Sequence, residues 1–261
     1  MRIALVDSGI GMLSTAAALH AARPDADLFL SMDPDHMPWG PRTADEVIAR
    51  ALTGARVALD AAGEPGLDAV VVPCNTASVH GLAELRAEFE PRIPVIGTVP
   101  AIKPAAAAGG PIAVWSTAAT TRSEYQRRLI ETFAHGVEVT PVACAGLAEA
   151  VESADPRLIE DAVTYAAEST PDDVRGVVLG CTHYDLVSEQ ITAALGEGVT
   201  LFTAAGAVAA QALRRIGEPP TGSGPGRVRV LASGRPAPMP AAALAYPAGR
   251  ALMGGVRTPT T

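Results

Sequence analysis

Val71-Val72-Pro73-Cys74-Asn75-Thr76 runs from a β-branched apolar stretch into a cysteine and then into amide and hydroxyl side chains. Val177-Val178-Leu179-Gly180-Cys181-Thr182-His183 does the same, with Cys181 standing 107 residues after Cys74. A short apolar run that stops at polar residues reads as a buried strand whose carboxyl end opens on a ligand site. Two such endings, each with a thiol, read as one half-site written twice. The gap is far too long for the knuckle spacing of a zinc site and suits two similar lobes, each giving one strand-end thiol to a shared cleft. That arrangement fits a reaction needing a thiol on each face of its substrate.

Outward from these two stretches, short β-branched runs at residues 3–7, 27–33, 69–74, 95–98, 112–117, 137–144, 176–181, 200–203 and 228–232 alternate with longer alanine-rich segments. The alternation predicts an α/β fold with a mainly parallel sheet. In such sheets ligands sit at the carboxyl ends of the strands. The polar clusters Asp7-Ser8, Asp33, Cys74-Asn75-Thr76, Ser116-Thr117 and Cys181-Thr182-His183 fall there and nominate one cleft. Thr43-Ala44-Asp45-Glu46 opens a helix to about residue 62, and Asp155-Pro156 opens another to about residue 168. Prolines 91, 94, 100, 104 and 111 with Gly109-Gly110 mark a crossing between two lobes, and the stretch 218–226 precedes a final strand.

Composition narrows the partner. Of 261 residues 48% are hydrophobic, ample for a packed core, and 20 basic against 28 acidic residues give a net charge of -8. That balance argues against nucleic acid or an anionic membrane surface and leaves a small molecule as the default ligand. The chain shows no signal peptide and no apolar run of about 18 residues, so cytoplasmic residence is expected. Three cysteines, Cys74, Cys144 and Cys181, read as free thiols rather than a disulfide framework. Lys103 is the sole lysine, so a pyridoxal phosphate Schiff base would have to rest on it.

Each motif also has a plain structural reading. Asp7-Ser8-Gly9-Ile10-Gly11 follows the first strand and enters a helix, where backbone N–H groups could hold an anion; otherwise it is a tight turn with a cap. A dinucleotide loop fits poorly, because Ser14 replaces the third glycine and Asp7 would face a pyrophosphate. Either cysteine alone reads as a buried small hydrophobe; together, at matching strand ends, they read as reactive. Zinc held by Cys181, His183 and Cys74 is the metal-centred rival, and a Cys-His hydrolase is another, though it leaves one cysteine unused. Cys144 reads as packing, His20, His36, His80 and His135 as surface or satisfied structure, and Met32, Met37 and Trp39 as core or cover.

Six patches in order resemble the cofactor-independent glutamate racemases of the aspartate/glutamate racemase superfamily: residues 7–11; Asp33 with Pro38-Trp39-Gly40; residues 74–78; residues 117–120 with Ser123 and Tyr125; residues 144–152; and residues 180–184. A weaker echo stands at Ala232-Ser233-Gly234. The resemblance implies two pseudo-symmetric α/β lobes with the active site in the cleft between them. The first would hold residues 1–98 and 208–261, and the second residues 99–207. It implies interconversion of L- and D-glutamate without metal or pyridoxal phosphate, D-glutamate supply for peptidoglycan, and a homodimer. It assigns acid/base chemistry to Cys74 and Cys181, assisted by Asp7 and His183 respectively, with Glu152 near the second. Ser8, Trp39, Gly40, Asn75, Thr76, Thr117, Thr120 and Thr182 match substrate-holding positions. Departures at Met12, Trp39, Asp185 and Thr203 keep open a racemase of aspartate or another amino acid, a one-thiol member of the superfamily, or a silent binding homologue.

Overall fold

The computed structural model describes residues 1–217, 222 and 224–254. Most of the stretch expected to precede the final strand, Glu218–Thr221 with Ser223, lies outside the described residues, as does the end of the chain from residue 255. The chain divides into two compact units, Met1–Thr98 with Ala205–Thr261, and Val99–Ala204.

The first unit is built on a six-stranded sheet. In chain order its strands are β1 Arg2–Val6, β2 Asp27–Met32, β3 Ala69–Val72 and β4 Val95–Gly97. The second unit contributes β5 Ile112–Ser116, β6 Val139–Ala143, β7 Gly176–Leu179 and β8 Thr200–Phe202, and the returning chain adds β9 Val228–Ala232 and β10 Arg235–Ala237 to the first. The orders are β10-β9-β2-β1-β3-β4 and β6-β5-β7-β8. All pairs are parallel except β9 with β10. The core β2-β1-β3-β4 therefore has the strand order of β6-β5-β7-β8, the same motif built twice. Each cysteine falls two residues past the third strand of its motif, Cys74 after β3 and Cys181 after β7. The duplication legible in the two half-motifs is thus a duplication of topology.

Strands β3, β5 and β7 are buried along their whole length, which explains why they read as unbroken apolar runs rather than as alternating patterns. Helices cover them. Ala44–Ala62 opens with the capping box expected from sequence, the Thr43 hydroxyl accepting from the Glu46 amide while the Glu46 carboxylate accepts from the Thr43 amide. Its buried stripe is Val47, Ala51, Ala55, Ala58 and Ala62. Gly54 lets it lie close, since a Cβ there would stand 3.1 Å from Val6 and 3.0 Å from the Ser31 hydroxyl. In the second unit, Pro156–Glu168 starts where Asp155 caps the Arg157 and Leu158 amides. No described helix is long and apolar enough to cross a membrane.

Sequence reading placed nine strands, and the structure adds β10. Its residues, Arg-Pro-Ala, are short, exposed or half-buried and carry a proline, so no strand pattern announces it. It forms because Ser233 and Gly234 both take positive φ, 45° and 84°, and reverse the chain tightly after β9.

Candidate active site

Because β1, β2 and β3 are parallel, their carboxyl ends share one edge of the first unit's sheet, and the polar residues that follow them collect there. Asp7 follows β1 at 1% exposure, and its Oδ1 accepts from the Ser8 amide at 2.7 Å and the Ser8 hydroxyl at 3.3 Å. The turn is tied to β2 on both sides, Asp7 N donating to Ser31 O and Asp33 N to Ser8 O. Entry into the helix is less direct than expected: Ile10–Met12 is a 3-10 turn, and the α-helix begins at Leu13. Cys74 is buried, in extended conformation at the head of the helix Asn75–His80, so Asn75 and Thr76 form that helix's first turn. Trp39 and Gly40 lie in the loop after β2, where the buried Trp39 indole donates from Nε1 to Asp33 Oδ2 at 3.1 Å.

The second unit repeats the pattern at the ends of β5, β6 and β7. Thr117 caps the short helix Ala118–Thr121, accepting from the Thr120 amide, with its hydroxyl 3.0 Å from that of Thr120. Cys181 is half-buried, and its Sγ lies 3.8 Å from His183 Nδ1. On the far side of the ring, His183 Nε2 is 2.8 Å from Glu152 Oε2, which comes from the helix Leu147–Ser153 following β6. His183 is 4% exposed. An Nε2–H donated to the carboxylate leaves the Nδ1 lone pair facing the thiol, a tautomer assigned from this network. Both ring nitrogens are thereby directed at protein partners. Thr182 stands half-buried between the thiol and the imidazole in sequence.

Cys144 sits close enough to feel the charge of Cys181. Burial pushes its thiol well up, the Cys181 charge adds to this, and hydrogen bonds involving Ser116 and Tyr184 oppose it only in part. It stays a neutral thiol near pH 7, as packing requires and a base does not. Tyr184, fully buried, is raised in the same way, by burial first and then by its acidic neighbours, Cys181 foremost.

The sequence reading named Ser116 and Gly180 but not the contacts that each makes. Ser116 Oγ, at the end of β5, lies 2.7 Å from the Thr121 hydroxyl and 2.7 Å from Gln126 Oε1. This buried cluster backs the turn carrying Thr117 and Thr120. Gln126 is 1% exposed, and its Nε2 has no hydrogen-bond partner among the described residues. The only signal was an amide in the first turn of the helix Glu124–Phe133, at capping distance from Ser123. The second is Gly180, whose amide donates to Trp115 O at 2.7 Å. A Cβ there would stand 2.8 Å from that same oxygen and 3.2 Å from Ser116 Cβ. Gly180→Ala must push the end of β7 away from β5 and is expected to cost about 2 kcal/mol, read by thermal unfolding.

Asp185 lies in the 3-10 turn Thr182–Val187, and burial alone pushes its carboxyl from 3.8 up to about 7. Between those values the unfolded chain has lost the proton that the folded chain keeps, so stability falls as pH rises through this window and the penalty is complete above it. Full linkage over the window is about 4 kcal/mol; for this half-buried side chain about half of that is expected. Asp185→Asn, which cannot ionise, should therefore be about 2 kcal/mol more stable than the parent near pH 8 and equal to it near pH 4, by thermal unfolding at the two pH values.

A sequence model of the family described as Asp/Glu/Hydantoin racemase matches residues 8–212. The chain belongs to that family. The matched span runs from Ser8 past Cys74, Glu152 and His183, so both thiol half-sites lie inside it. Among family relatives, a glutamate racemase of Herpetosiphon aurantiacus is 36% identical over 245 residues, covering 90% of this chain and 93% of its own. A glutamate racemase of Roseiflexus is 37% identical over 224 residues, 83% of this chain and 79% of its own. Among solved structures, Escherichia coli glutamate racemase in complex with L-glutamate and the activator UDP-MurNAc-ala superposes with a TM-score of 0.77 at 28% identity. That match covers 97% of this chain and 93% of the other. The fold of this racemase is thus the two-unit α/β fold of glutamate racemases.

Proposed function

We propose that this racemase interconverts L- and D-glutamate by a two-base proton transfer between Cys74 and Cys181. The observation that carries the chemistry is the line Cys181–His183–Glu152 at the end of β7: a half-buried thiol, an imidazole beside it, and a carboxylate behind the imidazole. The choice of glutamate is supported by the relatives, which are glutamate racemases at 36% and 37% identity over most of the chain.

In this reading one cysteine begins as thiolate and the other as thiol. The thiolate takes the α-hydrogen as a proton, and the C–H electron pair stays on the α-carbon, delocalised into its carboxylate. The opposite thiol then returns a proton to the other face. Thiol and thiolate have exchanged places, and exchange with solvent resets them. Imidazole and carboxylate serve Cys181 by holding its proton when it is a thiolate; Asp7, buried beside Ser8, has that role toward Cys74. Ser8, Asn75, Thr76, Thr117, Thr120 and Thr182, with the Trp39–Gly40 loop, supply donors for the substrate's carboxylates and acceptors for its ammonium. Donors held in place before reaction stabilise the charge that develops on the α-carboxylate.

The same reading places the enzyme in the cytoplasm as a homodimer supplying D-glutamate for peptidoglycan. Support for the last point is the UDP-MurNAc-ala bound as activator in the Escherichia coli structure. The test is incubation of the purified chain in deuterated water with glutamate, aspartate and several neutral amino acids, followed by chiral and mass analysis. Glutamate is expected to racemise fastest, with deuterium at the α-carbon. Preference for another amino acid would reassign the substrate, and ligand binding without exchange would make the chain a silent homologue.

A further inference from the structure

Asp33 gathers side-chain partners from well beyond its own strand. Its carboxylate, on a residue 8% exposed at the end of β2, lies 2.9 Å from His36 Nδ1 and 3.1 Å from Trp39 Nε1. It is also 2.9 Å from Ser233 Oγ and 3.8 Å from Arg50 Nε. These partners come from three separate segments: the loop after β2, the helix Ala44–Ala62, and the turn between β9 and β10. Ser233 is held there with a left-handed φ of 45°, its amide donating to Met32 O and its hydroxyl also accepting from the Asp35 amide. A non-glycine residue keeps such a conformation only where its surroundings impose it.

Hydrogen bonds act on this loop beside packing. A cavity of about 140 Å³ is lined by Asp33, His36, Trp39, Arg50, Ser233 and Arg235 among others. Trp39 is 2% exposed and packs in the apolar cluster with Val6, Phe29, Val47 and Ala51, and its one polar atom, Nε1, is directed by the hydrogen bond to Asp33. We infer that Asp33 is a positioning residue which pins the Trp39–Gly40 loop to the β9–β10 turn and thereby sets the enzyme's affinity for its substrate. This rests on reading that loop as a substrate contact. Asp33 acts through Trp39 and Ser233. A loop that holds ground state and transition state alike changes KM and leaves kcat alone.

The test uses the full chain with Asp33→Asn, which keeps shape and loses charge, and Ser233→Ala, which removes a donor 200 residues away in sequence. Wild-type racemisation of glutamate is measured first; if it is absent, the substrate reading falls by itself, and the variants are compared on whichever amino acid the wild type exchanges fastest. Asp33→Asn is expected to raise KM about 10-fold and Ser233→Ala about 3-fold, each with kcat within about 2-fold of the parent. The double variant should be no worse than Asp33→Asn, because both act through one hub. Amide hydrogen exchange over residues 37–43 should quicken about 10-fold in Asp33→Asn. Unchanged KM with a lowered melting temperature would make Asp33 merely structural and overturn the inference. So would unchanged exchange in that loop, or a wild type that exchanges no amino acid.

Discussion

Replacing Cys74 or Cys181 with alanine is expected to abolish racemisation in both directions, a loss of about 10³-fold or more in kcat, while thermal unfolding moves little. The reasoning is stereochemical. Inversion needs a proton to leave one face of the α-carbon and another to arrive at the opposite face, and one thiol reaches only one face. Each single variant keeps one working thiol, which can still remove the α-proton of the enantiomer it faces, exchange it with solvent and return a deuteron to the same face. The prediction is therefore sharper than inactivity: in deuterated water each variant should wash deuterium into one enantiomer without inverting it, and the two variants should choose opposite enantiomers. A Cys74→Ala protein that still racemised glutamate at a substantial rate would end the two-base mechanism. The fold should tolerate the change, because each cysteine lies past the end of its strand and contributes little apolar area beyond what alanine retains.

Much of this framework was legible in the sequence because its causes are local. The capping box is read from Thr43 and Glu46, three apart, and the cap from the neighbours Asp155 and Pro156, and the structure forms both. The buried parallel strands β3 and β7 announce themselves as short apolar runs, and the thiols beyond them mark the edge where ligands gather. What stayed hidden depends on residues far apart in the chain. Gly180 is visible as a glycine, but its reason is the Trp115 carbonyl on the neighbouring strand. Ser233 stood only in a weak echo of the family pattern, yet it bonds a carboxylate 200 residues earlier. Gln126 is an ordinary helical residue until Ser116 is placed against it. Asp185 stood out only as a departure from a family pattern, and its raised carboxyl follows from burial in a 3-10 turn that no periodicity reveals.

The second large effect is expected at the imidazole. His183→Asn should lower kcat/KM about 10²-fold to 10³-fold, and Glu152→Gln about 10-fold to 10²-fold, with the fold intact in both. The Nδ1 to Sγ distance of 3.8 Å is loose for proton transfer, as unliganded acid/base pairs often are, whereas the Nε2 contact to Glu152 at 2.8 Å is already short. In the proposed reaction Glu152 would set the ring's tautomer and orientation before substrate arrives, and its charge would stabilise the imidazolium formed when the thiol gives up its proton. Glutamine keeps an acceptor for Nε2–H but removes the charge, so its smaller loss measures the electrostatic part, while asparagine at 183 removes the proton acceptor itself. Because the two enantiomers have equal energy, the equilibrium constant is unity and kcat/KM must fall equally for L- and D-glutamate in every variant, even though only one thiol has been disturbed. The asymmetry should appear instead in the substrate deuterium isotope effect, which should grow for the enantiomer whose proton Cys181 removes. Equal isotope effects for both enantiomers in Glu152→Gln would place Glu152 outside the Cys181 half of the reaction.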